Sequence, residues 1–277
     1  MRWRQFSILT SALLLACGTP ESKRPEPKAQ AAPEKPVFQA LPTGTEVLRT
    51  RTFTSDKQKA YKVETVRDDR EEALRALPSG SRDVVPLAAP QSDKYAGTAR
   101  KAAKLSTASA PVEQFTDLQD LIQTLPAHST MANHTPKIKT TATSNRVAEE
   151  KRNVKVTVFL YAASREDDND FHLILGRDPA KSPPVYFTME LSGLPANNAA
   201  SFAKLKAARD AFKAFFGTEL PGQDYDFYSP PIPVEVEGSL FFDMSHATGN
   251  RPGPASLRSK MPVVWEVHPI TRITFEP

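Results

Sequence analysis

The sequence predicts a mostly β domain of the α+β class, with five strands and one main helix between strands three and four, preceded by a long disordered arm. Two observations lead there. Aromatic residues divide the chain unevenly: between Gly18 and Glu150 there are only Phe38, Phe53, Tyr61, Tyr95 and Phe115, whereas sixteen lie from Lys151 onward. Beyond Lys151 the apolar residues alternate in short runs, the period of half-buried strands, interrupted once by helical spacing. A stretch poor in large apolar groups cannot offset its chain entropy of roughly 1–2 kcal/mol per residue, so the β domain is expected in residues 151–277.

The elements follow in order. Val154–Tyr161 (VKVTVFLY) alternates and is rich in β-branched and aromatic residues, the mark of a strand. Ser164–Asp170 is an acidic turn, and Phe171–Leu175 (FHLIL) returns as the second strand of a hairpin. Val185–Leu191 (VYFTMEL) is a third. A helix capped at Asn198 or Ser201 runs to Phe216, with Phe202, Leu205, Ala208, Phe212 and Phe215 on one stripe and Gly217 as its stop. Val234–Phe242 is a fourth strand, in which Gly238 suggests a bulge or bend, and Val264–Phe275 a fifth, in which Pro269 fits only at an edge or bulge. Three strands, a helix and two strands is the order of a five-stranded OB-like barrel. An open α+β sheet or a small sandwich would be the other arrangements.

The first residues read as an export signal. Arg2 and Arg4 precede an apolar run, Ile8–Ala16, that is shorter than the roughly 20 residues a membrane span needs. Leu14-Leu15-Ala16-Cys17 resembles the lipobox of bacterial lipoproteins, so residues 1–16 are expected to be removed and Cys17, the chain's one cysteine, to carry lipid. A lone cysteine also rules out an intramolecular disulfide. Gly18 in place of Asp after Cys17 implies the outer membrane under the common Gram-negative sorting rule. Residues 17–110 read as a largely disordered tether, with weak strand patterns around Thr45–Val66 and a weak helix pattern over Asp68–Leu77. Residues 111–150 read as a segment packing on the domain, led by an amphipathic helix from Val112 to Leu125.

Phe171-His172-Leu173-Ile174-Leu175, Gly238-Ser239-Leu240-Phe241-Phe242-Asp243 and Trp265-Glu266-Val267-His268-Pro269-Ile270 resemble an uncharacterised family of bacterial exported proteins with a barrel like that of staphylococcal nuclease. The resemblance covers roughly residues 125–275 and implies an OB-like fold and an exported habitat, but no activity. The nuclease set of paired arginines and acidic metal ligands does not map onto this chain.

Three polar residues fall inside expected strands: His172, Glu190 and His268. If their faces converge, two imidazoles and a carboxylate could ligate zinc and leave a position for water. Structural hydrogen bonds are the plainer role, since no short HxH or HxxxH spacing supports a metal. Asp167, Asp168 and Asp170 lack the glycine and distal Glu of a calcium loop and read as a solvated turn. Asp243, His246 and Arg251 border the expected ligand face as a binding-site candidate, but Ser245 beside them has no nucleophile elbow.

From Lys151 to the end there are 14 Lys/Arg and 15 Asp/Glu, a net of −1, so the chain's overall +4 belongs to the signal and arm. Nucleic-acid binding is thereby disfavoured. Lys204, Lys206, Arg209 and Lys213 look like the solvated face of the helix, and one member of each pair Phe215-Phe216 and Phe241-Phe242 is expected to be exposed. The function expected is a non-catalytic binding or interaction module, held to the membrane through Cys17 and presented to an envelope protein or small ligand. The alternatives are a nuclease-like, metal-assisted hydrolase and a purely structural envelope component.

Overall fold

The computed structural model describes residues 45–67, 92–247, 253–258 and 260–277. Its strands are β1 (Val47–Thr54), β2 (Ala60–Val66), β3 (Val112–Phe115), β4 (Asn153–Arg165), β5 (Phe171–Gly176), β6 (Tyr186–Leu191), β7 (Tyr225–Phe242) and β8 (Trp265–Phe275). Four helices of six residues or fewer, α1 (Lys101–Lys104), α2 (Leu118–Gln123), α3 (His128–Ala132) and α5 (Ala255–Arg258), accompany one long helix, α4 (Phe202–Phe216).

All eight strands share one sheet, in the order β1-β2-β7-β8-β6-β5-β4-β3, and β7 also pairs with β4. The pairings β4-β5-β6-β8-β7 therefore close on themselves, antiparallel except for β6 against β8. The expected five-stranded barrel is corrected to an eight-stranded sheet, because β1, β2 and β3 extend it. The tether expected over 17–110 is corrected where it is described: 45–67 and 92–110 belong to the fold. Aromatic density understated this stretch, since a few well-placed groups suffice. Phe53, Tyr61 and Val63 are buried, and Phe53 meets the rings of Phe215 and Phe216 at 5.3 Å each. Residues 1–16, Cys17, the rest of 17–44 and the helix pattern at Asp68–Leu77 lie outside the described residues.

The strands form where alternation is strongest. Val154, Val156, Val158 and Leu160 on β4 are fully buried, while Thr157 between them is exposed. The core they face also takes Phe171, Leu173, Met189, Val267 and, from α4, Ala208, Phe212 and Phe216. The helix expected over Val112–Leu125 is corrected to a strand followed by a shorter helix. Val112–Phe115 pairs in parallel with the start of β4, and Asp117 then caps α2 by accepting from Gln119 N at 2.9 Å. Leu118 and Leu121 are buried, so the segment does pack on the domain. β7 begins nine residues before the expected Val234. Its prolines, which cannot donate to a ladder, hid that start: the pairing with β4 jumps from Leu160–Ile232 to Ala162–Phe227 across them.

Two further expectations are corrected. Arg209 is not on a solvated face. Its buried guanidinium bonds Asp93 at 2.9 Å and lies over Phe171, 4.4 Å from the ring centre, while Lys213 reaches Asp93 at 2.7 Å. Neither aromatic pair leaves an exposed patch: Phe241 and Phe242 are both buried, and Phe215 stacks on Phe275 at 4.0 Å.

Candidate functional site

β5, β6 and the first six residues of β8 are buried on both faces. One face meets the core; the other is covered in part by the strap 92–108 and in part by Leu257 and Met261, which cluster with Ile174 and Tyr186. Tyr95 N donates to Leu194 O at 3.0 Å, Leu194 N to Asp93 O at 2.6 Å, and Ala96 N to Asp168 O at 2.9 Å. Gly193 permits this approach, because a Cβ there would sit 2.7 Å from Tyr95 Cα. Two buried arginines secure the strap. Arg100 is bidentate to Glu150 at 2.6 and 2.7 Å, and Arg146 donates to Ala103 O at 2.8 Å, Ser106 O at 2.9 Å, His268 O at 2.6 Å and Leu240 O. Burial pushes the Arg146 guanidinium down to about 10.

Between strap and sheet lies a polar cluster built by alternation on three adjacent strands. Asp170 and His172, Glu190 and Ser192, and Glu266 and His268 are pairs two residues apart, which places each pair on one face. His172 stands opposite Glu190 in the ladder. β8 carries an extra residue between the pairs Leu240–Val267 and Gly238–Ile270. This bulge returns Ile270 to the core, on the face opposite His268, where plain alternation would have put both on one face.

His268 is fully buried, with Nδ1 2.9 Å from Glu190 Oε2 and 3.6 Å from Glu266 Oε2, and Nε2 3.4 Å from Asp170 Oδ2. Lys104 extends from the strap to within 3.6 Å of Asp168, 3.7 Å of Asp170 and 3.8 Å of Glu190. His172 Nδ1 faces Tyr225 Oη at 2.7 Å and Glu166 Oε1 at 3.0 Å. Asp243 pairs with His246 and accepts from Ser245 N at 2.8 Å.

A cavity of about 90 Å³ is lined by His172, Glu190, Asp243 and His246 together with Lys104, Glu166 and Glu266. Four of the six sequence candidates thus line one cavity, and His268 stands against its Glu190. Arg251 lies outside the described residues. The group whose ligand atoms lie within 4.8 Å of one another is Asp170, Glu190 and His268, with Asp170 where the sequence reading had His172. Asp170 and Glu266 were legible from their i, i+2 spacing to the two histidines; Lys104, held by tertiary contacts of the strap, carried no sequence signal.

The electrostatics are those of acids in excess of cations. Burial raises the Asp170 and Glu266 carboxyls well above their usual range, and neighbouring carboxylates add to it. Burial would also raise Glu190, but Lys104 and then His268 hold it well below. Lys104 is raised well above the usual lysine value, its burial outweighed by Glu190, Asp170 and Asp168. Burial pushes His268 down to about 4, against the pull of Glu190.

No protein-family model, curated protein or solved structure matches the chain significantly. Among the described residues no helix is long and apolar enough to cross a membrane.

Proposed function

We propose that the chain is a lipoprotein of the bacterial envelope, anchored through lipid on Cys17 and placed in the outer membrane, whose domain is a binding module for a small cation. Within the eight-stranded sheet, the closed circuit β4-β5-β6-β8-β7 is read as an OB-like kernel that β1, β2 and β3 enlarge. The observation that carries the ligand class is the cavity: about 90 Å³ against Glu166, Glu190, Asp243 and Glu266. Organic ligands occupy roughly 300–1,000 Å³, whereas one water takes about 30 Å³ of liquid, so the space suits an ion with one or two waters. Four carboxylates face Lys104 and Arg100 on its walls, and Arg100 is already taken up by Glu150, so the excess of acids favours positive charge.

The hydrolase reading is favoured by one observation, the Asp243–His246 pair on the wall of the same cavity. The cavity size argues against a bulky substrate, and the binding reading is preferred. Equilibrium dialysis of the full chain against calcium, zinc, manganese and methylammonium tests it. Saturable uptake of at least one, weakened by Glu190→Gln, supports the module; turnover of phosphodiester or peptide substrates would replace it with the hydrolase. Fractionation of cells carrying Cys17→Ala tests the anchor: the chain should move from the membrane to the soluble fraction.

A further inference from the structure

Resting on the reading of the domain as a cation-binding module, we propose that Asp170, Glu190 and His268, of which Glu190 also lines the cavity, bind a divalent transition-metal ion such as zinc or manganese, for which Lys104 is the resident counter-ion. The three ligand-bearing atoms lie within 4.8 Å of one another and all three residues are buried. A second, independent observation points to a ligand. Asp170 Oδ2 and His268 Nε2, 3.4 Å apart, are buried without a hydrogen-bond partner, while His268 Nδ1 faces Glu190 Oε2 at 2.9 Å. Such atoms are costly to leave unsatisfied, and a metal ion between Asp170 and His268 Nε2, within reach of Glu190, would satisfy both.

Donor chemistry sets the class of ion. Carboxylates alone suit magnesium or calcium, and an imidazole shifts preference to first-row transition ions. Thiolate-seeking ions find no ligand, since the chain's one cysteine is Cys17. A metal-bound histidine commonly donates its other ring N–H to a carboxylate. If Nε2, which faces Asp170, takes the metal, Nδ1 already faces Glu190 and Glu266 at 2.9 and 3.6 Å. Arg146 fixes the backbone at this residue by donating to the His268 carbonyl at 2.6 Å. Lys104 stands 3.7 and 3.8 Å from two of the three ligand residues, so its ammonium repels a second cation there.

That repulsion separates a metal site from a salt-bridge network closed by Lys104, because the two differ in the sign of one effect. The full chain is dialysed against zinc and against manganese, and bound metal is measured by mass spectrometry. We expect about one equivalent per chain, at least about tenfold weaker binding in Asp170→Asn, Glu190→Gln and His268→Gln, and tighter binding in Lys104→Met. Should a variant fail to fold, histidine ring ¹⁵N resonances of the unmodified chain give the same answer, with His268 shifting on zinc addition. Zinc uptake that leaves His268 unshifted, or that survives all three substitutions, overturns the donor assignment. Uptake of calcium or methylammonium alone, sensitive to Glu190→Gln, overturns the transition-metal site while the cation module stands. Uptake of no cation overturns both.

Discussion

Replacing Glu150 by Gln removes one charge from a place where water cannot compensate. Glu150 is fully buried and the side chain of Arg100 only 2% exposed. Besides its two bonds from Arg100, the carboxylate accepts from Phe242 N and Val147 N at 2.8 Å each. Arg100 also donates to Phe242 O and Asn145 O at 3.0 Å. Breaking a buried pair by removing one partner costs about 3–5 kcal/mol, because the remaining charge is left uncompensated. Replacing both partners by apolar groups is often close to neutral. Glu150→Gln and Arg100→Met should therefore each lower unfolding free energy by about 3 kcal/mol or more, and Arg100→Met with Glu150→Leu should recover only part of it, because the backbone groups of Val147, Phe242 and Asn145 lose their partners. Urea denaturation followed by tryptophan fluorescence measures all three, with Trp265 buried in the core as a reporter. Hydrogen exchange over 92–108 should rise in the single variants, since Arg100 joins the strap to the sheet. Single substitutions costing under about 1 kcal/mol would refute the view that this pair is what holds the strap.

Other consequences are sharper in sign than in size. Gly193→Ala drives a Cβ to 2.7 Å from Tyr95 Cα and 2.9 Å from its N, backbone atoms that cannot swing aside. It should cost about 1–3 kcal/mol in thermal denaturation, while Gly222→Ala, with nothing within 4 Å, should change stability by about 0.5 kcal/mol or less. Phe212→Ala empties a fully buried site in the core and should cost about 3–5 kcal/mol by the same assay. The strap should also loosen in acid. Burial would raise the Asp93 carboxyl, but Lys213 and Arg209 hold it below its usual value. Its stabilisation is thus complete above the ordinary carboxylate range and is lost as pH falls through the lowered value. Exchange at Tyr95 and Ala96 should accelerate over β4 on acidification, and Asp93→Asn should abolish that difference.

What the sequence disclosed depended on how local the signal was. β4, β5, β6, β8 and α4 were legible because alternation or a helical stripe persists for five residues or more. β1 and β2 were barely legible, since only Phe53, Tyr61, Val63 and Val66 of the hairpin's apolar residues are buried. β3 was misread because Phe115, Leu118, Leu121 and Ile122 fit helical spacing, although Val112–Phe115 pairs with β4. In the site, His172, Glu190 and His268 stood out as polar residues in apolar strands. Their convergence was not legible, because alternation assigns faces and says nothing of which strands adjoin. The parallel pairing of β6 with β8 is what brings Glu190 to His268.

The most direct test of the cation seat is anomalous diffraction at the zinc edge from crystals of the full chain grown with zinc. One peak is expected roughly 2.0–2.2 Å from oxygens of Asp170 and Glu190 and a ring nitrogen of His268, with Lys104 moved away. A map with no peak there, and Lys104 still set against the same carboxylates, would contradict it.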